Sequence, residues 1–300
     1  MWVYLGILSA VFIGLYEVTK KHALIENAVL PVLFFVTVFC AILMTPATIL
    51  SLYIPEAMIQ YHLYVAPPSI VAHLHIFLKA VIVTASWILT YFALKHLPIS
   101  IATPIRASEP IWILLAALLI FKEQPTFLQW AGLIAIVISY YIFSLLTIRE
   151  GISFHRNKWI FFIVLATLIS TCSLLYDKFL IQRLNYPPLM VQAWFSFYLV
   201  VVLGVIVTVF WYPFRKHHTP FTWKWSILLI ACLLIIGDFA YFQAVSCNGS
   251  LIMLISVLRR TSVVVSFFVG AALFHDVNIS GKTLVFAGIL LGVLLIVLSK

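Results

Sequence analysis

The chain has 300 residues, of which 64% are hydrophobic and only 9% charged, against roughly 25% charged in an average globular chain. That leaves too little polar surface to coat even one soluble domain, so lipid is the solvent, and disorder, a disulfide scaffold and a cytosolic enzyme are excluded. The formal net charge of +9 is spread in ones and twos between apolar runs, which fits short loops beside anionic headgroups and not a nucleic-acid-binding face.

A spanning helix needs about 20 predominantly apolar residues. Cutting the chain at charge clusters, prolines and polar turns predicts ten spans, at 2–23, 29–53, 71–95, 98–121, 125–147, 159–181, 187–211, 225–247, 249–272 and 281–299. The first begins without a basic region and reaches Glu17 with no small-residue cleavage site, so it reads as a retained helix and not as a signal peptide. Turns such as His96-Leu97-Pro98 and Lys122-Glu123-Gln124-Pro125 are so short that neighbouring helices run antiparallel and little backbone meets lipid. Trp2, Trp159, Trp211, Trp223 and Trp225 fall near span ends, where an amphipathic ring suits the headgroup level. Cys40, Cys172, Cys232 and Cys247 lie in apolar runs with no ligand spacing, and His73-x-His75 and His217-His218 lack the i,i+4 spacing of a helical zinc site, so no metal is expected. No nucleotide-binding, nucleophile-elbow or metalloprotease motif occurs, and no cofactor is expected.

The charged stretch 149–158 divides the chain into two units, 1–148 and 159–300, each with five spans. Sliding by 153 residues places Arg106 on Arg259, Ser108 on Thr261, Phe121 on Phe274 and Glu123 on Asp276; sliding by 160 places Leu15-Tyr16-Glu17 on Leu175-Tyr176-Asp177. Repeats with an odd number of helices must insert in opposite senses, which creates a pseudo-two-fold axis in the membrane plane. The expected fold is therefore an all-α integral membrane protein of ten transmembrane helices in two inverted five-helix repeats.

Tyr91-Phe92-Ala93-Leu94-Lys95-His96-Leu97-Pro98, Glu109-Pro110-Ile111-Trp112, Phe121-Lys122-Glu123 and Leu128-Gln129-Trp130-Ala131-Gly132 together resemble the end of an EamA repeat, the unit of the drug/metabolite transporter superfamily. Arg259-Arg260-Thr261-Ser262 through Gly270-Ala271-Ala272-Leu273-Phe274-His275-Asp276 to Gly288 is a degenerate second version. The resemblance implies ten helices, inverted repeats, a central substrate cavity and alternating access, and it leaves the substrate open.

Nine ionisable residues fall inside predicted spans: Glu17, Lys79, Arg106, Glu109, Asp177, Lys178, Asp238, Arg259 and Arg260. Each costs about 2.5–3.5 kcal/mol near a helix centre, so they must face one another or water. They sit on predicted helices 1, 3, 4, 6, 8 and 9, a set that maps onto itself under the repeat. Arg106 and Glu109 share a face of helix 4 between Pro104 and Pro110, while Arg259 and Arg260 project about 100° apart. One reading is an anion site built on Arg106 and Arg259, with Glu109, Asp238 and Arg260 beside it and Trp112, Tyr91 and Tyr241 as wall; the other is a structural network in which the arginines pair with Glu109 and Asp238. Glu17 and Asp177, each following a tyrosine, are candidates to couple a proton to transport, or else pair with Lys20, Lys21 or Lys178. Gly288 and Gly292 on helix 10, with Ala131 and Ala135 on helix 5, offer a homodimer face or an intramolecular contact.

The expected function is secondary active transport of a small polar metabolite, amino-acid-like or anionic, proton-coupled, in a bacterial inner membrane. Its partners are that small molecule and the bilayer, with no nucleic acid. The alternatives are a membrane-embedded enzyme and a non-transporting scaffold. Loops after odd-numbered spans hold ten Lys and Arg, from Lys20 to Lys282, and the other side holds three, Lys122, Arg183 and Lys300. The excess of positive loops inside places both termini outside the cytoplasm, whereas the resemblance implies cytoplasmic termini. Following the charges, a C-terminal reporter active only in the cytoplasm is expected to stay silent, and strong activity would reverse the orientation.

Overall fold

The computed structural model describes residues 1–96, 105–106, 108–146, 158–217, 219–262, 264–265, 269 and 280–299. Its elements are α1 (Trp2–Leu24), α2 (Val29–Tyr53), α3 (Pro55–Gln60), α4 (Ile70–His96), α5 (Glu109–Ile120), α6 (Phe127–Leu146), α7 (Lys158–Lys178), α8 (Pro188–Ile206), α9 (Ser226–Ser246), α10 (Ile252–Arg260) and α11 (Ser280–Leu298). Among the described residues there is no strand, as lipid demands of a chain that must satisfy its own backbone. Six helices, α1, α2, α4, α7, α8 and α9, are long and apolar enough to cross a membrane, and α5, α6 and α11 hold shorter apolar runs.

Two predicted spans, 98–121 and 249–272, are described in part, and each carries a turn. Within them lie α5, starting at Glu109 with Pro110 in its first turn, and α10, closing at Arg260, with residues 105–106, 262, 264–265 and 269 helical on the far side of each turn. The chain turns at Ser108 and at Thr261. Pro110 follows the first turn at the start of a helix, where its missing N–H costs nothing, and does not bend a continuous one. Pro104 lies outside the described residues. The stretch after α2, read as plain loop, folds into α3, and its Met58 and the following Val65 are buried.

Sharp reversals use residues in the left-handed region: Glu26 at φ 52°, Lys122 at 53° and Asn185 at 53°. After α5, Phe121 and Glu123 both donate backbone N–H bonds to the Ala117 carbonyl, at 3.1 and 3.3 Å, closing the helix around Lys122. That closure turns Glu123 inward, where it is 6% exposed.

The largest helix-on-helix interfaces are α1 with α9, α6 with α11, α4 with α7, and α2 with α8. Two ends of the bundle follow from cross-links. Asn27 donates to the Thr222 carbonyl at 2.7 Å and accepts from the Thr222 N–H at 2.9 Å, fixing an "Asn27 end". At the opposite "Met1 end", Met1 and Trp2 share a cavity with Gln243 and Cys247. Gln182 donates to the Val245 carbonyl there at 2.6 Å.

α6 and α11 meet through glycine. A Cβ on Gly132 would lie 2.6 Å from the Gly292 carbonyl oxygen, and one on Gly292 2.7 Å from that of Gly132. Of the predicted small-residue positions, Gly288 and Gly292 thus face α6 inside the chain, where they meet Ser139, Ile136 and Gly132. Backbone cannot step aside as a flexible side chain can, so Gly132→Ala and Gly292→Ala should each lose about 1–3 kcal/mol of stability. Gly204→Ala meets only the Phe34 ring at 3.4 Å and should stay within about 0.5 kcal/mol. Thermal unfolding in detergent checks this, and a Gly292→Ala protein as stable as Gly204→Ala contradicts the contact.

Candidate functional site

The interior charges separate into two groups along the bundle. Toward the Met1 end, Lys79 of α4 pairs with Asp177 of α7, each side chain only 3% exposed. The Tyr241 hydroxyl of α9 donates to the other Asp177 oxygen at 3.2 Å. Phe195 and Phe242 flank the Lys79 ammonium at 4.5 and 5.0 Å from their ring centres, adding cation–π attraction and keeping water out. One residue on, Lys178 pairs with Glu123 and lies over the Phe121 ring at 4.9 Å. Glu123 also accepts the Ile252 N–H at 2.8 Å and the Met253 N–H at 3.4 Å. A carboxylate there satisfies orphan donors of α10 and complements the positive end of its dipole.

Nearer the middle and toward the Asn27 end, exposure rises. Arg259 pairs with Asp238 at 2.5 Å and covers the Tyr241 ring at 4.4 Å, so Tyr241 joins this group to Asp177. Arg260, 25% exposed, pairs with Glu109, which is 2% exposed. Glu17, 39% exposed, pairs with Lys20 at 2.5 Å. It also feels the charges of Arg106 and Arg260, and these two arginines act on each other. Among the described residues Arg106 forms no ion pair with a carboxylate. The Glu109 Oε1 atom is buried with no hydrogen-bond partner among the described residues.

Both arginine-bearing helices are interrupted in the same way. The Ser108 N–H and hydroxyl donate to the Ile105 carbonyl at 3.1 and 2.6 Å, and the Thr261 N–H and hydroxyl donate to the Leu258 carbonyl at 3.0 and 2.7 Å. Donor and acceptor in one turn correspond to those in the other at the 153-residue offset. A hydroxyl that bonds the carbonyl three residues back competes with the helix ladder and favours such a turn.

Of the residues singled out from sequence, Asp238, Arg259, Tyr241 and Asp177 come together, as do Glu109 and Arg260, with Arg106 and Glu17 near them in charge. Glu109 pairs with Arg260 and not with its own-helix neighbour Arg106. Asp177 pairs across to Lys79 and not with the adjacent Lys178. Trp112 is 43% exposed, its indole N–H donating to the Ser108 hydroxyl at 3.1 Å. The Tyr91 side chain lies outside the described residues. Glu123 was missed because it reads as a loop charge; the signal was its place beside Lys122, where a reversal turns it inward. Among the described residues no group of three or more His, Cys, Asp or Glu is placed to hold a metal ion.

The EamA-like transporter family matches residues 1–145. A solved crystal structure aligns over 99% of this chain and 95% of its own, with a TM-score of 0.67 at 16% identity, a likeness of fold alone. No curated protein matches the chain in sequence.

Proposed function

We propose that the chain, whose residues 1–145 match the EamA-like transporter family, is a multi-pass membrane transporter of small molecules that carries a polar anion or zwitterion by alternating access around Arg106 and Arg260. The observation that carries this reading is the charge balance of the central group. Arg259 and Arg260 are matched by Asp238 and Glu109, while Arg106 stands near them without a carboxylate of its own among the described residues. A guanidinium so placed is stabilised by an incoming carboxylate or phosphate, to which it offers a planar fork. The unpartnered Glu109 Oε1 supplies an acceptor for an ammonium or hydroxyl on the same molecule.

The two units 1–148 and 159–300 are proposed to be inverted five-helix repeats. Supporting this, exchanging α1 with α7 and α4 with α9 turns the α1–α9 interface into the α4–α7 one, while α2–α8 and α6–α11 map onto themselves. The matched turns at Ser108 and Thr261 support it as well. Helices interrupted beside a central charge suit a substrate site, because freed backbone groups are tolerated where they line a cavity. We assign proton coupling to Asp177, whose release from Lys79 would move a carboxylate from a dry setting to a wet one, with Glu17 as its repeat-related counterpart.

A thermal-shift screen of the purified chain against amino acids, carboxylates and phosphorylated metabolites should find ligands that raise its stability. Arg106→Lys keeps the charge and loses the fork, so it should weaken binding by about 1.5–3 kcal/mol, and Arg106→Ala by more. Wild-type affinity in both variants removes Arg106 from the site.

A further inference from the structure

The two buried ion pairs at the Met1 end share a pattern that a binding site does not need. Asp177 and Lys178 are consecutive on α7, and each takes a partner of opposite sign from the other half of the chain: Lys79 on α4 and Glu123 after α5. Consecutive helical residues point about 100° apart, so one turn of α7 grips two separate elements. Glu123 then holds the start of α10 through Ile252 and Met253. Along α10, Arg259 and Arg260 lie about 10–12 Å further on. Phe121, Phe195 and Phe242 seal the ammonium groups. At the other end the cross-bundle ties among the described residues are not ion pairs: Asn27 bonds Thr222, the Lys224 ammonium donates to the Ile25 carbonyl at 2.7 Å, and Glu17 pairs within its own helix.

We propose that Lys79–Asp177 and Lys178–Glu123 form a two-pronged latch that shuts the Met1 end of the bundle and opens when α7 swings away from α4 and the α5–α6 turn. The inference rests on the alternating-access reading and adds its gating residues, with Glu123 as a positioning residue that joins the latch to the arginine-bearing helix. Opening separates four charges that attract strongly only while water is excluded, so the shut form holds until water or a bound molecule compensates them. Ligand held by the arginines of α10 and the latch held by its first turn thereby act on one rigid element.

The test is a distance measurement between spin labels at two exposed Met1-end positions, Gln60→Cys in the first half and Arg183→Cys in the second, with the four native cysteines replaced by alanine. The full chain in detergent should give one short distance. Glu123→Gln retains an oxygen for the Ile252 N–H but loses the ion pair, and it should raise the ratio of a longer distance to the short one by about tenfold or more. Lys178→Met should do the same, and the double variant no more than either single. Should a single variant not yield folded protein, the double variant, which leaves no uncompensated charge, must show the longer distance. A single short distance in the folded variants overturns the latch. The measurement needs no substrate, so that result leaves the transport reading standing, whereas an intact latch in a chain that moves no solute removes transport instead.

Discussion

A charged side chain in a medium of low dielectric must find an opposite charge or water, and the arrangement of this bundle follows from that requirement. Removing one partner of a buried pair leaves a charge whose desolvation is uncompensated, at about 3–5 kcal/mol. Lys79, Asp177, Lys178 and Glu123 therefore fix which helices lie against one another at the Met1 end as firmly as the apolar contacts do. Tyr241 extends the network: its hydroxyl serves Asp177, and its ring lies under Arg259, which is itself held by Asp238. Along the bundle, pairing gives way to partial exposure at Arg260 and Glu17. That gradient from dry pairs to wetter ones is the one expected of the proposed latch at the Met1 end.

How far the sequence reveals this depends on the kind of interaction. Long apolar runs carry their own signal, so α1, α2, α4, α7, α8 and α9 are found within a few residues of where hydropathy places them. The predicted spans around Arg106 and Arg259 read as continuous because hydropathy does not register a hydroxyl that diverts a helix carbonyl, as Ser108 and Thr261 do. The list of interior charges was legible, since each interrupts an apolar run. Some of their partners were legible too, Lys20 for Glu17 and Glu109 and Asp238 for the arginines, whereas those of Asp177 and Lys178 were not. Lys79 and Asp177 are 98 positions apart, and nothing local in either segment names the other. Proximity in sequence suggested Arg106 with Glu109 and Asp177 with Lys178, yet neighbours on one helix diverge, and the strongest pairs cross between helices.

Glu123 shows the same limit from the other side. Beside Lys122, Gln124 and Pro125 it has the composition of a solvent-facing turn, and only the left-handed backbone at Lys122 turns it into the bundle. Once inside, it meets an ammonium and two backbone donors that have no other partner, which compensates for a lysine in a conformation that favours glycine. Shape is handled separately from charge. α6 and α11 carry none of the paired interior charges and meet backbone to backbone at Gly132 and Gly292, a rigid seam against which the charged helices can move.

Solute exchange in proteoliposomes tests the central claim most directly. Purified protein is reconstituted, and the vesicles are loaded with unlabelled amino acids, carboxylates and sugar phosphates, then given labelled members of each class. The account predicts saturable, counter-loaded uptake of at least one anionic or zwitterionic class, lost in the folded Arg106→Ala variant. Folded wild-type protein that exchanges none of these classes, or exchanges them equally well without the Arg106 guanidinium, would contradict it.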